Sequence, residues 1–98
     1  MNEAELFVVA ERALAGVIDQ INDAQWAWMQ PSWFRLGRAG DMSLRQIVNY
    51  HAYDSAWVPD VLAGRTIEEV GSAHDGDLLG DDPAAAYRRI SNRAVSAA

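Results

Sequence analysis

Apolar residues recur at three- and four-residue steps in three stretches of this chain, and each stretch opens on a helix-start signal. In the first, Leu6, Val9, Ala10, Ala13, Leu14, Val17, Ile18 and Ile21 form one stripe on a helix predicted over residues 2–21. Asn2 followed by Glu5 has the spacing of a capping box, and Glu3 and Glu5 suit the positive end of the helix dipole. The second stretch, predicted over 43–63, opens on Ser43-Leu44-Arg45-Gln46 and carries Leu44, Ile47, Val48, His51, Trp57 and Val58. Pro59 falls inside it and either kinks the helix or ends and restarts it, and Gly64 is the expected stop. The third, predicted over 83–97, has Asp82 at the N-cap, Pro83 at the first helical position and a stripe of Ala86, Tyr87, Ile90, Ala94 and Val95.

The connections are as informative as the helices. Residues 22–42 are broken by Pro31, Gly37 and Gly40 and crowded with Trp26, Trp28, Trp33 and Phe34. So much aromatic mass should fold back onto the bundle, with room for one short helical turn. Thr66-Ile67-Glu68-Glu69 repeats the capping-box spacing and predicts a short turn of helix ended by Gly71. Residues 72–82 read as a polar, glycine-punctuated loop around a Leu78–Leu79 anchor. No stretch alternates with the period of a strand, so the expected fold is all-α, an up-and-down helical bundle forming one domain over residues 1–98.

Composition narrows the function. The chain has 98 residues, 14 acidic and 8 basic, for a net charge of −6. That balance argues against nucleic acid or an anionic membrane as partner. No apolar run approaches the roughly 20 residues of a membrane span, and the acidic N-terminus is unlike a signal peptide, so a cytoplasmic location is expected. The absence of cysteine excludes disulfides, a thiol nucleophile and cysteine-based metal sites. All eight basic residues are arginine, a bias that points to a GC-rich genome.

Few residues carry candidate chemistry. His51 lies mid-helix on the Leu44–Ile47–Val48–Ser55–Val58 face, as either a metal ligand or a hydrogen-bonded core or groove histidine. Asp54, three residues on, is a candidate ligand, orienting partner or general base, or a solvated surface acid. No H-x-x-x-H or E-x-x-H pair joins them, and zinc needs three or four protein ligands, so weak or absent zinc binding is expected. Asp75, Asp77, Asp81 and Asp82 with Gly76 and Gly80 only superficially resemble a calcium loop and read as a turn plus an N-cap. His74 in that loop is expected to face solvent. The four tryptophans either line a ligand pocket or pack, and packing is favoured. Ser43 and Ser55 have no evident triad partners.

The run LRQIVNYHAYDSAWVPDVLAGRTIEEVG, followed by DGDLLGDDPAAAYRRI, resembles the maleylpyruvate isomerase N-terminal-domain proteins of actinobacteria, within the DinB-like superfamily. The resemblance covers about residues 43–94. It implies a four-helix bundle, a divalent metal such as zinc held by a mid-helix histidine with ligands from a later helix, and the small thiol mycothiol as cosubstrate in the isomerase members. In the family the histidine follows the L-V-N run directly. Here Tyr50 takes that place and His51 comes one residue, about 100° of helix rotation, later. The later ligand-bearing helix has no counterpart in these 98 residues, so the bundle is expected to lack its last helix. Two functions follow as expectations. One is a self-associating binding or structural module without a complete active site, a homodimer closed over a groove lined by Leu14, Val17, Ile18, Tyr87, Ile90 and Val95. The alternative is a metal- and mycothiol-dependent isomerase or transferase, with His51 as ligand and Asp54 in support.

Overall fold

Helix starts are set by side chains that accept the otherwise orphaned backbone N–H groups of a first turn. In the computed structural model, which describes residues 1–31 and 42–98, each predicted start does this. Asn2 Oδ1 accepts from Glu5 N at 2.8 Å and opens α1, Glu3–Ile18. Ser43 and Gln46 close a reciprocal capping box and open α2, Leu44–Leu62. Thr66 and Glu69 do the same for the single turn α3, Ile67–Val70. Asp82 caps α4, Pro83–Ala97, with Pro83 in its first turn. The aromatic connection contributes one 3-10 turn, Gln25–Ala27, begun by a reciprocal Asn22–Gln25 pair. The described residues are therefore all-helical, with no named strand.

Two expectations change. The first helix ends at Ile18 rather than Ile21: Asp19 N still donates to Ala15 O, and Gln20 and Ile21 then wind down in i→i−3 hydrogen bonds. Pro59 neither ends nor restarts α2, which runs on to Leu62. A proline at that place withholds only the hydrogen bond that the Ser55 carbonyl would have accepted, and its own carbonyl accepts from Ala63 N at 3.0 Å. Gly64 then stops the chain with φ +79°, a conformation that a Cβ would oppose.

α4 packs against both α2 and α1. Ile18, Trp26, Val48, Ala52, Leu79 and Tyr87 form the buried core, with Leu14, Ala15, Ile21, Leu44, Leu78, Ala84 and Ile90 around it. Trp26 thus brings the aromatic connection onto the bundle, as expected, whereas Trp28 is exposed. Trp33 and Phe34 lie outside the described residues. An antiparallel bridge pairs Met29 with Ser43, with Leu44 N donating to Trp28 O at 2.7 Å and Gln30 N to Met42 O at 2.8 Å.

The loop before α4 is pinned to α2. Asn49 Oδ1 accepts from Leu78 N at 2.8 Å while its Nδ2 donates to Gly76 O at 3.1 Å. Arg45 donates to Asp77 at 3.0 Å and to Gly80 O at 2.8 Å. These contacts seat Leu79 in the core, where the Leu78–Leu79 anchor is expected. Arg88 ties α4 to the end of α1 through Asp19 at 2.6 Å.

The largest departure is in α1, where only part of the expected stripe turns inward: Ile18 is buried, and Leu14 and, just past the helix, Ile21 pack against the core. The buried residues of α1 are Glu11 and Ile18, flanked by half-buried Phe7, Val8, Leu14 and Ala15. Leu6, Val9 and Val17 are 59, 54 and 63% exposed, and Ala10 and Ala13 are exposed beside them. The two sets are rotated by roughly 120° about the helix axis. Both are apolar, and the inner one is interrupted by a charge, so periodicity favours the outer set while packing buries the inner one.

Candidate functional site

Three groups of side chains could carry function, and two of them contain residues the sequence reading set aside. The first is buried where the three long helices meet. Glu11 of α1, 5% exposed, accepts a hydrogen bond from Ser55 Oγ of α2 through Oε1. Its Oε2 accepts from Tyr87 OH of α4 at 2.8 Å, and Tyr87 is 1% exposed. Burial, the hydrogen bond to Glu11 and the nearby carboxylate push the Tyr87 phenol far above its ordinary range, against a smaller opposing effect of Ser55. Each carboxylate oxygen has a donor, which is the condition for keeping such a group inside a core. The cluster joins all three helices and is sealed from solvent, so it specifies how they meet.

The second group stands at the far end of α2. His74 is half-buried rather than solvated, because its Nε2 lies 2.7 Å from Asp60 Oδ2 and its ring meets the edge of Trp57. Asp60 Oδ1 is also 3.5 Å from Arg65. Trp57 in turn stacks edge-on with Tyr53. Its indole Nε1 is buried without a hydrogen-bond partner among the described residues. The Asp60–His74 pair forms part of the wall of a cavity of about 520 Å³ between α2 and α4. Sequence reasoning missed it because the pair is 14 residues apart and crosses α3, with no local signal to join them.

The predicted site residues are not assembled. His51 is half-buried on α2 and Asp54 is exposed. Among the described residues no group of three histidine, cysteine, aspartate or glutamate side chains converges on a point. Among the described residues His51 and Asp54 have no third donor beside them, so these residues do not fit a zinc ion of the kind the family resemblance implies. Tyr50, at the family's histidine place, is exposed and lines a shallow recess with Gln46, Asn49, Tyr53, Asp75 and Gly76. The acidic loop is a turn, as expected. Desolvation of Asp77 is outweighed by hydrogen bonds from Leu79 N, Arg45 and Gly80 N, which hold its carboxyl below the usual range. Asp82 is the α4 cap.

The third group is the outer face of α1. The expected groove along α1 and α4 is not there as an open surface: Ile18 and Tyr87 are buried within the chain, and Leu14, Ile90 and Val95 are half-buried. The apolar surface left uncovered on α1 is the stripe of Leu6, Val9, Ala10, Ala13 and Val17. No helix among the described residues is long and apolar enough to cross a membrane.

Comparisons with protein-family models, with curated proteins and with solved structures give no match to this chain.

Proposed function

We propose that the chain is a DinB-like helical module that binds a second copy of itself through the outer face of α1. The observation that carries this is the uncovered stripe, with Leu6, Val9 and Val17 each more than half exposed. The stripe is self-complementary. If two α1 helices cross antiparallel about a point between Glu11 and Arg12, Leu6 faces Val17 and Ala10 faces Ala13, with Val9 between them. Large residues meet at the ends and small ones in the middle, where the axes come closest. A two-fold interface needs this property, since one surface must serve both sides. A contiguous apolar face of this kind is unusual on a monomer. The DinB-like part of this reading rests on the resemblance of the sequence run from Leu44 to Ile90.

The test is light scattering coupled to size exclusion. A mass near twice 10.8 kDa is expected, falling to one chain on Leu6→Asp with Val17→Asp. Val61→Asp, at an equally exposed apolar position on α2, should leave the mass unchanged. A single-chain mass at all micromolar concentrations would remove the proposal.

A further inference from the structure

We propose that the cavity between α2 and α4 binds a small organic anion, a carboxylate carried on an apolar aliphatic or aromatic body. The cavity of about 520 Å³ falls in the range typical of small-molecule sites. Ala56 and Pro59 of α2 and Ala86 and Ile90 of α4 supply apolar walls, and Leu78 closes them from the pinned loop. Four polar side chains also line it: Asp60, His74, Arg89 and Arg93.

Charge accounting decides the sign of the ligand. Asp60 is already engaged on one oxygen by His74 and on the other by Arg65. The imidazole is thereby held as a fixed polar wall, braced by the edge of Trp57. Arg45, Arg65 and Arg88 each have a carboxylate within bridging distance. Arg89 and Arg93 have none among the described residues. They lie one helical turn apart on α4 and border the same cavity. In a chain of net charge −6, two uncommitted guanidinium groups beside one apolar recess form a local cationic site. Guanidinium pairs with carboxylate through paired N–H donors, which fixes where the ligand's charged end would sit. The apolar walls favour a ligand with a hydrocarbon body over a compact, strongly hydrated anion.

The experiment is a titration of the full chain with benzoate, hexanoate and inorganic phosphate, read by calorimetry and by backbone amide shifts. Saturable binding of benzoate or hexanoate is expected, with shifts centred on Ala56, His74, Leu78 and the turn from Ala86 to Ile90. Arg89→Gln with Arg93→Gln should weaken binding about tenfold, the combined effect of two partly exposed ion pairs. Ala73→Trp, at an exposed position on the cavity rim, should block binding while both arginines remain. Neither change touches the α1 stripe, so the result is independent of self-association. The absence of saturable carboxylate binding, an affinity unchanged by the double substitution, or phosphate bound as tightly as benzoate would each overturn the proposal.

Discussion

α1 and α4 are near-equal in length and both amphipathic in sequence, yet they use their apolar residues in opposite ways. In α4 the stripe faces inward: Ala86, Tyr87 and Ala94 are buried, while Arg88, Arg89 and Arg93 are exposed, the last two at the border of the α2–α4 cavity. In α1 the most buried side chain but one is a glutamate, and three large apolar residues face out. The difference shows what a buried polar contact can decide. Tyr87 and Ser55 offer two hydroxyl donors in one place, and only the face of α1 that carries Glu11 can use both. Turning α1 by a third of a turn would bury Leu6, Val9 and Val17 but leave those hydroxyls unpaired in the core, at a cost of about 1–3 kcal/mol each. Phe7, Val8, Leu14 and Ile18 keep the chosen face apolar enough to pack.

The comparison breaks most directly at Tyr87, the most buried large side chain together with Leu79. Tyr87→Ala should cost about 3–5 kcal/mol, enough to unfold so small a domain, as seen in denaturant melts. A loss under about 1 kcal/mol would mean that α4 does not hold the bundle together.

Tyr87→Phe separates the ring from its hydroxyl. Leaving Glu11 Oε2 without its donor should cost about 1–3 kcal/mol at neutral pH. The same variant sharpens the account at alkaline pH. Because the folded phenol titrates well above its unfolded value, the native state retains a proton that the unfolded state loses. Stability from this group is fully present below about pH 10 and declines as pH rises beyond it toward the folded pKa. The phenylalanine variant should show a shallower alkaline decline; an identical slope would rule out Tyr87 as its source.

On the outer face of α1 the expected effect is smaller and of a different kind. Leu6→Ser and Val17→Ser should change the stability of a single chain by no more than about 0.5 kcal/mol. They should, however, abolish any rise of Tm with protein concentration, which is the mark of a folded dimer. Ile18→Ser, on the inner face, should destabilise at every concentration. Equal behaviour of Val17→Ser and Ile18→Ser would contradict the assignment of the two faces.

The smallest effect is expected at Asp77→Asn in the loop that seats Leu79. Asp77 and Arg45 are both substantially exposed, so solvent screening limits their pair to no more than about 1 kcal/mol. The Asp77 carboxyl titrates below its ordinary value, so its contribution is present above the usual carboxylate range and lost as pH falls through the folded pKa. Wild type and variant should therefore converge in melts taken from pH 7 down to about pH 3. A gap that persists at low pH would assign the loss to geometry rather than charge.

Much of the fold was legible because its signals are local. Asn2, Ser43, Thr66 and Asp82 act on N–H groups three residues away, and Gly64 stops α2 through its own φ. The stripe of α4 was legible because its charged residues all lie off the buried face, which only Ser91 interrupts with a polar side chain. The candidate site was much less so. His51 and Asp54 share a helix, but spacing on one helix cannot supply a third ligand from another. Asp60 and His74 meet only because the short α3 turns the chain back, and Arg89 and Arg93 reach the same cavity only because α4 returns beside α2.

By itself the amino-acid sequence determined the helical class, the helix starts and the turn chemistry of the loop before α4, since each depends on interactions spanning a few residues. Which face of α1 turns inward was decided by tertiary structure alone. Its two faces are both apolar enough to pack, so hydrophobic burial discriminates weakly between them, and the choice passes to a hydrogen-bonded contact among Glu11, Ser55 and Tyr87, residues 44 and 76 positions apart in the chain.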